Sequence, residues 1–255
     1  MKVSMQNRST ILIALLAASS LGLGGCSSPE QRIAKYTKSG EKFLADGKLG
    51  MANVQYLNAL KIDEQNVAAL TGLTKIAEKK GDYNQMFGLL QRLYRIDPKN
   101  VRVRLDMAKL YLLGNEAASA LDLADPVIAE DPKNAEALAV KAAILFRLEN
   151  SAEAIVLARQ ALAIDPTVSD AVAVLASERV KEKDFEGALA FLDEALARED
   201  AAPVLQLLRV QVLTSLGRTD DVNGAYDLLV KSDPEDANYR RLYVTSLIEQ
   251  GKLEE

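Results

Sequence analysis

Cys26 is the only thiol in the chain, and it sits in "LGLGGCSSPE", residues 21–30, between an apolar run and a polar stretch. A thiol can serve as nucleophile, metal ligand, disulfide partner or acylation site, and a lone cysteine closes no internal disulfide. The 255 residues contain no histidine, so the commonest general base and the commonest metal ligand are both missing. "SGEK", Ser39 to Lys42, has the S-x-x-K spacing in which a lysine can activate a nucleophilic serine. About one such match arises by chance in a chain of this length, and the companion motifs S-D-N and K-T-G do not occur in the sequence. The acidic residues are scattered without metal-ligand spacing. The expectation is no catalytic residue, no metal and no cofactor.

Composition narrows the class further. Hydrophobic residues make up 49% and charged residues 26%, enough apolar content to bury a core. Alanine and leucine are abundant and aromatics make up 5%, which favours helix. The net charge of −5 argues against a nucleic-acid partner.

The segment around Cys26 has the layout of a targeting signal. Lys2 and Arg8 form a basic start with no acid, and Ile11 to Gly25 is an apolar and small-residue run. A bilayer-spanning helix needs about 20 residues, so this run fits the apolar core of a secretory signal instead. Leu23, Gly24, Gly25 and Cys26 resemble the lipobox of bacterial lipoproteins. That resemblance implies cleavage after residue 25 and acylation of Cys26 as the new N-terminus. Loss of residues 1–25 takes the net charge from −5 to −7. Two or more acyl chains suffice for stable anchoring. Ser27 next to the cysteine implies, by the same resemblance, sorting to the periplasmic face of the outer membrane. Residues 26–32 are expected to be the lipidated cysteine and a short linker.

Beyond residue 32 a single period dominates. Acidic residues recur at Asp63, Asp97, Asp131, Asp165, Glu199 and Asp233, and four of them are followed by proline, at Pro98, Pro132, Pro166 and Pro234. Eleven residues before these slots stand Ala52, Met86, Ala120, Ala154, Ala188 and Val222; four before stand Ala59, Leu93, Val127, Ala161, Ala195 and Leu229. Gly47, Gly81, Gly217 and Gly251 mark a connecting point, with Gly114 displaced by one. Apolar residues within each unit are spaced by three and four. Each unit therefore reads as helix, tight turn, helix and a stop at the acidic-proline pair. A generic helical bundle has no reason to keep a period of 34.

These columns resemble the tetratricopeptide repeat. The implied fold is all-α, an α-solenoid of helix-turn-helix units at 33–66, 67–100, 101–134, 135–168, 169–202 and 203–236, followed by a partial seventh at 237–255. Met86 and Leu93 put bulk where the family has alanine, so the second unit is expected to pack more openly. Pro126 should kink the second helix of the third unit, and Pro203 suits the first turn of a helix. Tyr239, Leu242, Tyr243, Leu247 and Ile248 make the last helix apolar, and "GKLEE" starts another. On that ground the chain is expected to be the front part of a longer protein.

The resemblance further implies binding rather than catalysis. The first helix of each unit should line a concave groove for extended peptides or partner helices. The residues expected to face inward are Thr71, Lys75, Arg102, Lys109, Phe146, Ser177 and Gln211, with Lys75, Arg102 and Lys109 able to form a basic patch. The slots that would hold the asparagines of a chaperone carboxylate clamp carry Glu41, Lys75, Lys109, Ala143, Ser177, Gln211 and Thr245, so that clamp is not expected. The chain resembles three groups of repeat lipoproteins, and it looks most like the first of them. These are those of exopolysaccharide export and exosortase (PEP-CTERM) systems, the pilotin-like factors of type IV pilus secretins, and scaffolds of peptidoglycan hydrolases. The implied partners are envelope proteins or peptides in the groove, and the membrane through the lipid anchor.

Overall fold

The computed structural model describes residues 28–198, 203–234 and 236–252. Cys26, with Leu23, Gly24 and Gly25, lies outside them, as does the acidic slot at Glu199. The described residues form thirteen α-helices and no strand. They are α1 (Pro29–Ala45), α2 (Leu49–Leu60), α3 (Val67–Lys79), α4 (Tyr83–Ile96), α5 (Val101–Leu113), α6 (Ala117–Glu130) and α7 (Ala135–Arg147). Then follow α8 (Ser151–Ile164), α9 (Ser169–Lys181), α10 (Phe185–Leu196), α11 (Pro203–Ser215), α12 (Thr219–Ser232) and α13 (Ala237–Glu249).

Helix α1 starts earlier than the period suggests. The Ser28 hydroxyl accepts from the Gln31 N–H, the Gln31 side chain accepts from the Ser28 N–H, and Pro29 occupies the first helical position. This reciprocal cap turns residues 29–32, expected as linker, into the first turn of helix. Pro203 likewise opens α11. Pro126 sits inside α6, which continues as one helix from Ala117 to Glu130.

The turn that follows each odd-numbered helix is the same device seven times over. A residue with left-handed backbone stands at 47, 81, 115, 149, 183, 217 and 251, with φ between 62° and 74°. The N–H of the following residue closes onto the carbonyl five back, as from Lys48 to Phe43 at 2.8 Å and from Glu116 to Tyr111 at 2.8 Å. Glycine fills four of these positions, but Asn115, Glu149 and Lys183 fill the rest. The third unit is therefore in register: its left-handed residue is Asn115, and Gly114 has an ordinary φ of −74°.

The turn between units has its own chemistry. Asp97 Oδ1 accepts from the Lys99 N–H at 3.0 Å, and Asp63, Asp131 and Asp165 do the same two residues on. Asn100 then caps α5 by accepting from the Val103 N–H at 3.1 Å, a role shared by Asn66 and Asn134. The acidic slot thus ends one hairpin and shapes the entry into the next.

Alternate helices divide the two faces of the coil. Among odd-numbered helices, α1 packs on α3, α5 on α7, α7 on α9 and α9 on α11, whereas no two even-numbered helices meet among the described residues. Odd helices therefore line the concave side and even helices the convex side. Two inner seams are open: no Cα of α3 lies within 8 Å of α5, and none of α11 within 8 Å of α13. The outer helices behind those seams, α4 and α12, are the ones with large residues at both packing slots, Met86 with Leu93 and Val222 with Leu229. Where alanine fills one or both slots, as in α2, α6, α8 and α10, the flanking inner helices close up. Side-chain size at the contact sets helix separation, and the open second unit follows from it.

The core runs the length of the coil as a column of small and medium residues. Tyr56 is its largest buried side chain, 1% exposed, and lies between Gly40 of α1 and Gly72 of α3. A Cβ at Gly40 would stand 2.6 Å from the ring, so this close approach of α1 to α2 requires glycine.

Candidate functional site

The concave face is built from the odd helices, and the sequence-expected residues fall on them: Thr71 and Lys75 on α3, Arg102 and Lys109 on α5, Phe146 on α7, Ser177 on α9, Gln211 on α11. Lys75, Arg102 and Gln211 are exposed, and the other four are half-buried.

The structure brings two of these residues, Arg102 and Lys109, into one network and supplies carboxylates that the sequence reading had not assembled. Lys109 Nζ bridges Glu136 on α7 at 3.1 Å and Asp170 on α9 at 2.8 Å. Arg102 pairs with Asp106 at 2.9 Å, one turn along α5, and reaches Glu136 at 3.7 Å. Two cations and three carboxylates thus interlock across three helices, so this level of the groove is internally compensated rather than a basic patch. Lys75 stands apart, without an ion pair among the described residues.

Burial sets the character of this network. It pushes the Asp106 carboxyl above the usual carboxylate range, and the Arg102 hydrogen bond offsets this only in part. For Lys109 burial works against the charge, yet Asp170 and Glu136 outweigh it and hold the ammonium above the ordinary lysine value. The register carried a signal for this arrangement: Arg102, Glu136 and Asp170 occupy the same position of successive units, a column that changes sign.

Higher on the same face, Lys181 Nζ lies 5.8 Å from the centre of the Phe146 ring while donating to Glu149 at 2.7 Å and Ser151 at 3.2 Å. Lys181 was not singled out by sequence. Leu113, the last residue of α5, is an apolar side chain left 64% exposed. Ser39 and Lys42 lie on α1, and the Ser39 hydroxyl has no hydrogen-bond partner among the described residues. Among the described residues no group of three or more acidic or cysteine side chains has metal-holding geometry, and no helix is long and apolar enough to cross a membrane.

The geometry defines an α-solenoid of repeated helix hairpins with a polar, side-chain-rich concave face. The chain belongs to the tetratricopeptide repeat family: the family model matches residues 79–144 and 179–255, more than half of the sequence. Tetratricopeptide repeat proteins mediate protein–protein interactions, and a scaffold or adaptor role follows from membership. No curated protein matches the chain by sequence at a significant level. Solved structures share the fold. PilF of Pseudomonas aeruginosa is 14% identical with a TM-score of 0.53, over 86% of this chain and 100% of that one. PilW, described as a widely conserved type IV pilus biogenesis factor, is 17% identical with a TM-score of 0.57, over 82% and 97%. A thermophilic repeat protein of Thermus thermophilus, TTC0263, is 19% identical with a TM-score of 0.58, over 69% and 96%.

Proposed function

We propose that this chain is a lipid-anchored scaffold of the bacterial cell envelope, tethered through Cys26 at the periplasmic face of the outer membrane. In this reading it holds a segment of an envelope protein in its concave groove and has no catalytic role of its own. The observation that carries it is the pairing of a lipobox-like leader, Leu23 to Cys26, with a repeat solenoid whose concave face presents side chains from successive helices. The compensated charges around Lys109 favour a mixed-charge or amphipathic segment over a purely acidic peptide, because an acidic ligand would have to compete with Glu136 and Asp170.

The assembly served is one for exopolysaccharide export, as the overall resemblance of the sequence suggests. A second reading, a pilotin-like factor for a pilus secretin, is favoured by the likeness to PilF and to the pilus biogenesis factor PilW. A scaffold for peptidoglycan hydrolases shares the same architecture. Labelling of cells with a palmitate analogue tests the anchor: the full chain takes up label and sediments with membranes, and Cys26→Ala does neither. Label retained by the Cys26→Ala chain would refute the assignment of Cys26. Co-purification with glycan-export or with secretin components then separates the two assemblies.

A further inference from the structure

Among the described residues helix α1 stands at one end of the stack and packs on α2 and α3 alone. In α3, α5, α7, α9 and α11 the third position of the unit is Ala69, Val103, Ala137, Ala171 and Leu205, each buried, and in α13 it is the half-buried Tyr239. The tenth position of α3, α5, α7, α9 and α11 is Ile76, Leu110, Ile144, Glu178 and Val212, apolar in four of the five and buried in three. In α1 those two slots hold Lys35 and Lys42, both exposed. Arg32 and Lys38 are exposed as well, and at 100° per residue the four cations share an arc of about 120°. The acids of α1, Glu30 and Glu41, fall outside that arc. None of the four cations forms an ion pair or a side-chain hydrogen bond among the described residues.

Four uncompensated cations on one face stand out in a chain whose net charge is −5. They also stand where a neighbouring hairpin would have to bury them, which disfavours end-to-end stacking with a second copy at this end. Helix α1 begins at Pro29, three residues after Cys26, and three residues span at most about 10 Å. An acyl chain on Cys26 therefore holds this face at headgroup level.

We propose that the basic face of α1, made by Arg32, Lys35, Lys38 and Lys42, docks on an anionic phospholipid surface and seats the first hairpin against the bilayer. The proposal rests on the anchored reading, and it gives the cations a function: lysines and arginines close to an anionic surface are attracted to it over about a Debye length. The solenoid is then held at a defined attitude rather than swinging on its tether.

The full-length acylated chain is reconstituted on vesicles of phosphatidylcholine alone and on vesicles that also contain phosphatidylglycerol. Flotation on the neutral vesicles reads the anchor; the difference in hydrogen exchange of residues 29–45 between the two vesicles reads the face. The proposal expects exchange there to slow by at least about tenfold on the anionic vesicles. High salt should remove that protection, and so should the Lys35→Glu, Lys38→Glu, Lys42→Glu variant, which still floats and keeps its helicity. Equal exchange on the two vesicles, or protection unmoved by the triple reversal, overturns the proposal whether or not the chain floats on neutral lipid. A triple variant that docks normally on anionic vesicles but loses an acidic protein partner in cells overturns it in favour of a protein surface.

Discussion

Lys79 Nζ stands 2.7 Å from Asp233 Oδ2, although 154 residues of chain separate them. The first residue closes α3 and the second lies in the turn before α13, so the coil has come round far enough for its second unit to face the end of its sixth and the start of its seventh. A cleft of about 750 Å³ lies between them, lined by the turn at Asp46 to Met51, by Lys79 and Lys80, and by Asp236 to Asn238. The groove is thereby partly fenced, and a ligand must enter along the coil axis or displace this contact.

The contact is the weak point of that fence. Both partners are partly exposed, so Lys79→Glu should cost less than about 1 kcal/mol of stability. It should nevertheless raise the radius of gyration in X-ray scattering, and the exchanged pair Lys79→Asp with Asp233→Lys should restore it. An unchanged radius would show that core packing alone sets the pitch.

The open seams give a prediction about curvature. Met86→Ala and Leu93→Ala should each cost about 2–5 kcal/mol, less if the seam collapses, and together they should draw α3 and α5 closer. Spin labels at Lys75 and Leu113 would read the shortened distance. Conversely, Ala188→Met with Ala195→Leu should separate α9 from α11 and cost about 1–3 kcal/mol for each overpacked site. Distances that do not move would dissociate seam width from these slots.

Left-handed backbone at a residue with a Cβ is costly, by roughly 1–2 kcal/mol. Lys183 has φ of 65°, is exposed and has no side-chain partner among the described residues. Lys183→Gly should therefore gain about 0.5–1 kcal/mol after the entropy of glycine in the unfolded chain is subtracted. Urea unfolding would show it as a higher midpoint with an unchanged slope.

Alkaline pH should loosen the fold in a defined window. Burial pushes the phenols of Tyr56, Tyr226 and Tyr239 above their ordinary value, with Glu41, Glu249 and Asp236 adding to the respective shifts. Lys109 is also raised, because Asp170 and Glu136 outweigh its burial. In every case the folded chain holds the proton more tightly than the unfolded chain. The stability these four groups contribute is then constant below about pH 10 and is lost as pH rises through 10 toward the folded values. Unfolding midpoints between about pH 8 and 11 would follow this course, with a shallower fall for Tyr56→Phe.

How much of this was legible before the structure depends on whether the feature obeys the period. Asp97-Pro98, Asp131-Pro132, Asp165-Pro166 and Asp233-Pro234 marked the ends of α4, α6, α8 and α12, because proline disfavours helical backbone at the acidic residue before it. The left-handed turn was legible where glycine marks it and hidden at Glu149 and Lys183, because the surrounding hydrogen bonds impose the conformation on whatever residue is there. The Met86 and Leu93 seam was readable because bulk at a packing slot has a direct geometric consequence. The Lys109 bridge to Asp170 was not read, since it joins non-adjacent units, yet the column through Arg102, Glu136 and Asp170, which changes sign after its first member, carried the hint. The basic face of α1 was only partly legible: the expected linker took in Arg32, and Lys35, Lys38 and Lys42 read as ordinary helix residues until the structure showed the exposed face of α1.

The central claim is that the concave face, and not the convex one, holds the partner. Photoreactive residues placed in the full-length chain in its own cells, at Lys75, Phe146 and Ser177 on the inner helices and at Val156 and Leu228 on the outer ones, test it most directly. The account predicts adducts to a shared envelope protein from the first three and none from the last two. Adducts from Val156 and Leu228 with none from the groove would contradict it.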